Sequence, residues 1–290
     1  MIEKNLDLTA DFPPSSYEQW RKIAEAELKG APFEKKLVGR TFEGIDIQPL
    51  YTADHWSSAS DPSGFPGFAP LTRGDRVLGN AVSGWDIRQE HLHPDPVEAN
   101  RAILDDLEHG VTSIQLRLDA AACFGLDADD RAAISLAGHD GVMAYSLGDL
   151  DRVLEAVRLD IAPVSIDCGG AFLPGAALLA AQLERRAVDP LTVRCAFNAD
   201  PLGALMREGH LSVPLDTALA ELADLAVWTS SKYPNATSVE VGTGPYHHAG
   251  ASSTQDLAFA VATGLEYLRA MTAAGLDVNT AARQIAFGVS

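Results

Sequence analysis

The residues best able to do chemistry fall at the ends of short apolar runs. Asp119 follows TSIQLRL, Asp167 follows APVSI, Asn198 closes LTVRCAF, and Tyr246 and His247 stand just beyond TSVEVG. Carboxylate, amide, phenol and imidazole groups gathered at neighbouring strand ends could move a proton or hold a polarised substrate by hydrogen bonds. Asp and Asn in such places are also ordinary helix caps and turn formers. Asp119, Asp167 and His247 would make an acid/base set of a lyase-type barrel if their side chains converged. His91-x-His93 with Asp95 nearby has two ligand-type residues for a metal, but Pro94 and Pro96 mark an irregular loop and no third ligand is identifiable. Asp127, Asp129 and Asp130 lack the Gly and the terminal Glu of a calcium loop, which leaves a solvated acidic turn as the expectation. No metal site is expected.

The elements that must position these residues change in texture along the chain. After Pro13 and Pro14, the segment SYEQWRKIAEAELKG carries Trp20, Ile23, Ala24 and Leu28 at helical spacing, with Ser15 or Ser16 as cap and Gly30 as stop. TFEGIDIQPLY alternates briefly, and DPSGFPGFAPLTRG has too many breakers for a regular element. Residues 1–80 therefore read as an extended arm, and 81–290 as a second region built differently. From residue 97 helix-like segments alternate with TSIQLRLD, APVSIDC, LTVRCAFN, TSVEVG and IAFGVS; counting VMAYSL gives about six strands. That is the signature of consecutive β/α units and a parallel sheet, either doubly wound or a TIM-type barrel. Neither G-x-G-x-x-G nor G-x-x-x-x-G-K-[ST] follows the first strand, and the polar strand ends favour the barrel. A full barrel needs eight strands, so this one is expected to be incomplete. An apolar strand at the end of the chain would leave an open edge, which a longer chain or a partner would have to cover.

Length and composition bound the rest. The 290 residues, 47% apolar, allow a sizeable core in one or two domains. With 22 Lys+Arg against 40 Asp+Glu, the net charge of -18 opposes nonspecific binding to nucleic acid or anionic membranes. The densest basic group, Lys35, Lys36 and Arg40, is flanked by Glu34 and Glu43. The N-terminus has no apolar signal region and no stretch is apolar enough to span a bilayer, so no membrane association and a cytoplasmic location are expected. Cys123, Cys168 and Cys195 are odd in number and contain no C-x-x-C pair, which points to reduced thiols buried in core strands.

Several segments, in order, resemble the methylmalonyl-CoA mutases and related adenosylcobalamin-dependent acyl-CoA mutases. They are TFEGIDIQPLY (41–51), GFPGFAPLTRG (64–74), GWDIRQ (84–89), EANRAILDDLEHGVTSIQLRLD (98–119), YHHAGASSTQDLAFAVATGLEYLRA (246–270) and AARQIAFGVS (281–290). The resemblance covers nearly all of the chain and is weakest at 120–140. It implies an arm that wraps a partner subunit and a TIM barrel threaded by acyl-CoA, with a separate domain that holds cobalamin through D-x-H-x-x-G. None of the eight histidines lies in that motif, so no cofactor is expected on this chain alone, with adenosylcobalamin belonging to the assembly.

The family's reaction is a radical carbon-skeleton rearrangement in which the protein orients the acyl group and excludes water. Residue by residue, the resemblance places Glu90 where catalytic chains have a Tyr, and Asn198 where they have a Gln. The substrate-carboxylate Arg falls at Arg207, or at Glu208 with a one-residue change of alignment. The Tyr-His pair persists as Tyr246 and His247, but the following segment is two residues shorter. These departures match the small, non-catalytic subunit of heterodimeric mutases or a fragment of it, with Tyr246, His247 and Asn198 vestigial. On that reading the partner is the large catalytic subunit, or a second copy of the chain. The alternative is a catalytic barrel fragment that uses a cobalamin domain in trans.

Overall fold

The protein is described here from a computed structural model over residues 15–56, 63–82 and 84–290. It separates into two compact units that meet in sequence between Gly84 and Trp85.

In the first unit, helix α1 (Tyr17–Glu27) begins at a capping box, Ser16 accepting from the Gln19 amide while the Gln19 side chain accepts from the Ser16 amide. A short helix α2 (Phe33–Leu37) follows, and its Phe33 is buried, with the Arg21 guanidinium 4.4 Å from the ring centroid. Strands β1 (Gly39–Arg40) and β2 (Asp46–Ile47) form a two-residue antiparallel pair. Helix α1 buries none of its residues, and Phe42, Phe65, Phe68, Val77, Leu78 and Val82 are exposed.

The second unit is a curled sheet of six parallel strands in sequential order, an incomplete TIM-type barrel. The strands are β3 (Arg88–His91), β4 (Ser113–Arg117), β5 (Val164–Asp167), β6 (Cys195–Ala199), β7 (Thr237–Gly242) and β8 (Ile285–Gly288). Outer helices connect them: α3 (Pro96–Glu108), the short α4 (Ala120–Cys123), α5 (Leu147–Val153), α6 (Phe172–Arg185), α7 (Pro201–Glu208), α8 (Leu215–Lys232), the single turn α9 (Gly244–His248), α10 (Ser253–Ala273) and α11 (Val278–Arg283). Their starts are written locally: Asp95 caps α3 with Pro96 at the first position, Asp200 caps α7 before Pro201, and Ser252 closes a capping box with Gln255.

Strand alternation sorts the two faces. Ile114, Leu116, Val164, Ile166, Phe197, Val239 and Val241 are buried in one continuous core under the helices. The alternate residues, Ser113, Gln115, Arg117, Ser165, Asp167, Asn198, Ser238 and Glu240, share the opposite, concave face. A TIM barrel ordinarily fills that side with branched apolar residues; here it is a polar lumen, with Ser113 Oγ donating to Asp86 at 2.6 Å and Ser238 Oγ donating to Gln284 at 2.9 Å.

Two expectations need correction. VMAYSL is not a strand: it contributes one isolated bridge, Leu118 to Val142, and its apolar character comes from burial of Val142 and Ala144 in a loop. The first strand is instead RQEH, whose charged residues hid it from a search for apolar runs. Cys168 and Cys195 are buried at β5 and β6, but Cys123 is half-buried on α4 rather than in a strand. Burial pushes the Cys123 and Cys195 thiols up to about 12, so both stay protonated and unreactive at neutral pH. Among the described residues, no helix is long and apolar enough to cross a membrane.

Candidate functional site

A polar cavity of about 170 Å³ opens at the C-terminal end of the sheet. Its walls are Glu90 from β3, Gln115 from β4, Asp167 from β5, Asn198 from β6, Arg207 from α7 and Glu240 from β7, with Gly169 and Gly242 at the rim. Parallel register brings them together: Glu90 lies opposite Gln115, Arg117 opposite Asp167, and Gly242 opposite Gly288.

Asn198 sits where the β6 to β7 register shifts between Ala196 and Ala199, at φ +48°. Asn enters the left-handed region more readily than most side chains, which explains its place at this irregularity. Just beyond it, Asp200 is the most firmly held group of the mouth. Its carboxylate accepts from Tyr267 Oη at 2.5 Å, Gly203 N at 2.9 Å and Gly242 N at 3.2 Å. Burial raises its pKa, and those three donors work against the rise.

Asp167 Oδ2 lies 3.9 Å from both Arg117 Nη1 and Arg207 Nη1, while its Oδ1 accepts from Gly169 N at 3.0 Å. Arg207 thus faces a carboxylate of its own chain. The Glu240 side chain has no hydrogen bond or ion pair among the described residues. Burial, reinforced by the nearby Asp167 and Asp200 carboxylates, pushes it up to about 7 despite Arg207 and Arg88.

The structure brings Asn198 and Arg207 onto one cavity; Tyr246 and His247 lie beside it on α9. Tyr246 stacks on Phe259 with centroids 4.8 Å apart, and its hydroxyl is 3.5 Å from Thr263 Oγ1. His247 Nδ1 is 2.8 Å from Asp256 Oδ2, which leaves Nε2 free of that contact. Asp119 is fully buried, accepting from Ala122 N, Gly138 N and Tyr145 Oη at 3.1, 2.6 and 2.7 Å. Asp119, Asp167 and His247 are therefore tied to separate partners and share no hydrogen bond.

The histidines at 91 and 93 also diverge: His91 Nε2 turns to Asp106 at 3.7 Å, and His93 Nδ1 accepts from Asp95 N. Burial lowers the His91 pKa, against the pull of Asp106. Asp130 caps the turn Arg131–Ala133. Among the described residues, no group of three or more His, Cys, Asp or Glu side chains could hold a metal ion.

Sequence reasoning missed Gln115, Asp200 and Glu240. The signal for Gln115 and Glu240 was present as polar residues at every second position between Ile114 and Leu116, and between Val239 and Val241. A corrin ring does not fit the mouth. Its volume is well under the roughly 300–1,000 Å³ of ordinary small-molecule sites, and its walls are carboxylates, amides and a guanidinium rather than the flat apolar surface that a macrocycle covers.

Comparison with known proteins agrees with this architecture. The sequence profile described as Methylmalonyl-CoA mutase matches residues 40–290. A protein named methylmalonyl-CoA mutase small subunit, from Streptomyces virginiae, is 36% identical over 98% of this chain and 43% of its own length. The small subunit from Propionibacterium freudenreichii subsp. shermanii is 31% identical over 98% of this chain and 42% of its own. The large subunit from Streptomyces virginiae is 30% identical over 95% and 37%. The chain spans less than half the length of each of these relatives. A profile match over most of the chain and identities of 30% or more place it in one family: the chain belongs to the methylmalonyl-CoA mutases.

Proposed function

We propose that this chain is the barrel portion of a mutase small subunit, or part of one, that supports a cobalamin-carrying catalytic chain interconverting methylmalonyl-CoA and succinyl-CoA. The observation that carries this reading is the charge of the mouth. Glu90 and Glu240 join Asp167 and Asp200 around a single lining arginine, and Arg207 already faces Asp167 at 3.9 Å. A dicarboxylic acyl group would enter against like charge in a water-poor cavity, where such repulsion is strong. Tyr246, His247 and Asn198 are then vestigial, with Tyr246 and His247 kept for packing against Phe259 and Asp256.

The partner is a large catalytic subunit, which contributes adenosylcobalamin and acyl-CoA binding to the assembly. When bound there, the cofactor supplies the organic radical for the rearrangement. This chain contributes surface, and the exposed apolar residues of its first 84 positions suit burial against another protein. A cytoplasmic location follows from the same reading.

Light scattering of the chain mixed with a cognate large subunit tests the proposal. A one-to-one complex is expected, with turnover that depends on the large subunit's cobalamin domain. Isomerisation of an acyl-CoA by this chain with adenosylcobalamin alone would overturn it.

The second reading, a catalytic barrel using a cobalamin domain in trans, is favoured by the convergence of Asn198 and Arg207 on one cavity. It requires turnover in trans that His247→Ala abolishes.

A further inference from the structure

We propose that Glu240 gates the mouth: a small carboxylate binds beside Arg207 only when Glu240 has taken up a proton. This rests on Arg207 being, among the described residues, the one guanidinium that lines the cavity, 3.9 Å from Asp167, and does not need the partner-subunit assignment.

The geometry is that of a shared, closed space. Glu240 and Arg207 line the same cavity of about 170 Å³, so a ligand that reaches the guanidinium lies next to the Glu240 carboxyl. Two other carboxylates of the mouth are already engaged, while Glu90 is exposed. Asp167 has two arginines and the Gly169 amide, and Asp200 has Tyr267 and two backbone amides. Glu240 has no such partner among the described residues, and its Oε1 packs closely enough on Gly288 that a side chain there would touch it.

The charged groups acting on Glu240 are Arg88 from β3, Asp167 from β5, and Asp200 and Arg207 from the turn after β6 and from α7, with Glu90 from β3 lining the same cavity. From α10, Tyr267 is committed to Asp200. Burial and the Asp167 and Asp200 carboxylates bring Glu240 to about 7, so it changes charge near neutral pH. Ionised, it repels an entering anion and competes for Arg207. Protonated, it becomes a hydrogen-bond donor to that anion.

Linkage gives the sign. Where binding requires protonated Glu240, affinity is flat below about pH 7 and falls about tenfold per unit above it. The probe is acetate, which stays ionised throughout this range. It would be titrated into the whole chain from about pH 6 to about pH 8.5 by NMR line broadening, with calorimetry in buffers of different ionisation enthalpy. Wild type should lose about tenfold in affinity per unit above pH 7 and take up close to one proton per acetate at about pH 8. Glu240→Gln, isosteric and folded by circular dichroism, should bind acetate with pH-independent affinity.

Wild-type affinity that does not change with pH, or binding without proton uptake, would overturn the gate while leaving Arg207 as a carboxylate site. Acetate binding that survives Arg207→Gln, or no acetate binding by either wild type or Glu240→Gln at any pH, would overturn both.

Discussion

The hydroxyl of Tyr267, on the buried face of α10, donates to Asp200 Oδ1 at 2.5 Å and accepts from Leu202 N at 2.8 Å. One phenol thereby ties α10 to the turn after β6, sixty-seven positions away in sequence. Because Asp200 also bonds Gly203 and Gly242, it joins the ends of β6 and β7 to the start of α7. Tyr267→Phe removes the donor but not the buried carboxylate. A loss of about 2–3 kcal/mol is expected from hydrogen bonding to a charged group. Urea denaturation should show it, and Asp200→Asn in the Tyr267→Phe background should cost less than Asp200→Asn in wild type.

Gly175 sits inside α6, where glycine costs about 1 kcal/mol against alanine. A Cβ at this position would collide with Cys168 Sγ. Gly175→Ala should therefore destabilise by about 1–3 kcal/mol, the usual cost of overpacking, in spite of the gain in helix propensity. Cys168→Ala beside it should recover part of the loss. Thermal melts of the two single variants and the double variant decide the matter; simple additivity would speak against the clash.

Asn198, at φ +48°, predicts an unusual order of tolerance. Glycine should be accepted at little cost in stability, whereas a β-branched residue should cost about 1–3 kcal/mol for the strained backbone. Asn198→Val is the informative variant. If it melts at the wild-type temperature, the β6 irregularity is not held by the residue that occupies it.

Glu240 leaves a signature in stability as well as in binding. Its folded pKa, about 7, lies above the ordinary glutamate value, 4.5, so the folded state binds its proton more tightly than the unfolded chain does. Stability from this group is fully present below the unfolded value and is lost as pH rises, levelling off above about pH 7. Relative to wild type, Glu240→Gln should gain stability across that interval, by up to about 3 kcal/mol. Denaturation midpoints measured at a series of pH values check it, and a constant difference between the two proteins would count against the burial argument.

Much of the architecture was legible because helices and their starts are local. Ser16, Asp95 and Ser252 act as caps through residues two or three positions away, and the apolar spacing of α3, α6, α8 and α10 needs no tertiary information. The strand RQEH and the loop VMAYSL were exchanged because an apolar run reports burial and not conformation. RQEH faces a polar lumen, and VMAYSL is buried without joining the ladder. In the same way, Asn198 and Arg207 could be named from resemblance, but their meeting with Glu90, Gln115 and Glu240 could not be. Those residues come from four strands and a helix spread over 150 positions, and only the register of parallel pairing sets their distances.

By itself the sequence determined the alternation of helices and strands after residue 97, the cap of the first helix and the family, all of which depend on neighbours along the chain. The tertiary structure alone decided that the inner face is polar, that Asp119 is structural, that Arg207 faces Asp167, and that the Glu240 side chain stands without a partner among the described residues. The reason is physical: a carboxylate's role depends on its desolvation and on the charges around it. Both arise only when distant strand ends are brought to within a few ångströms of one another.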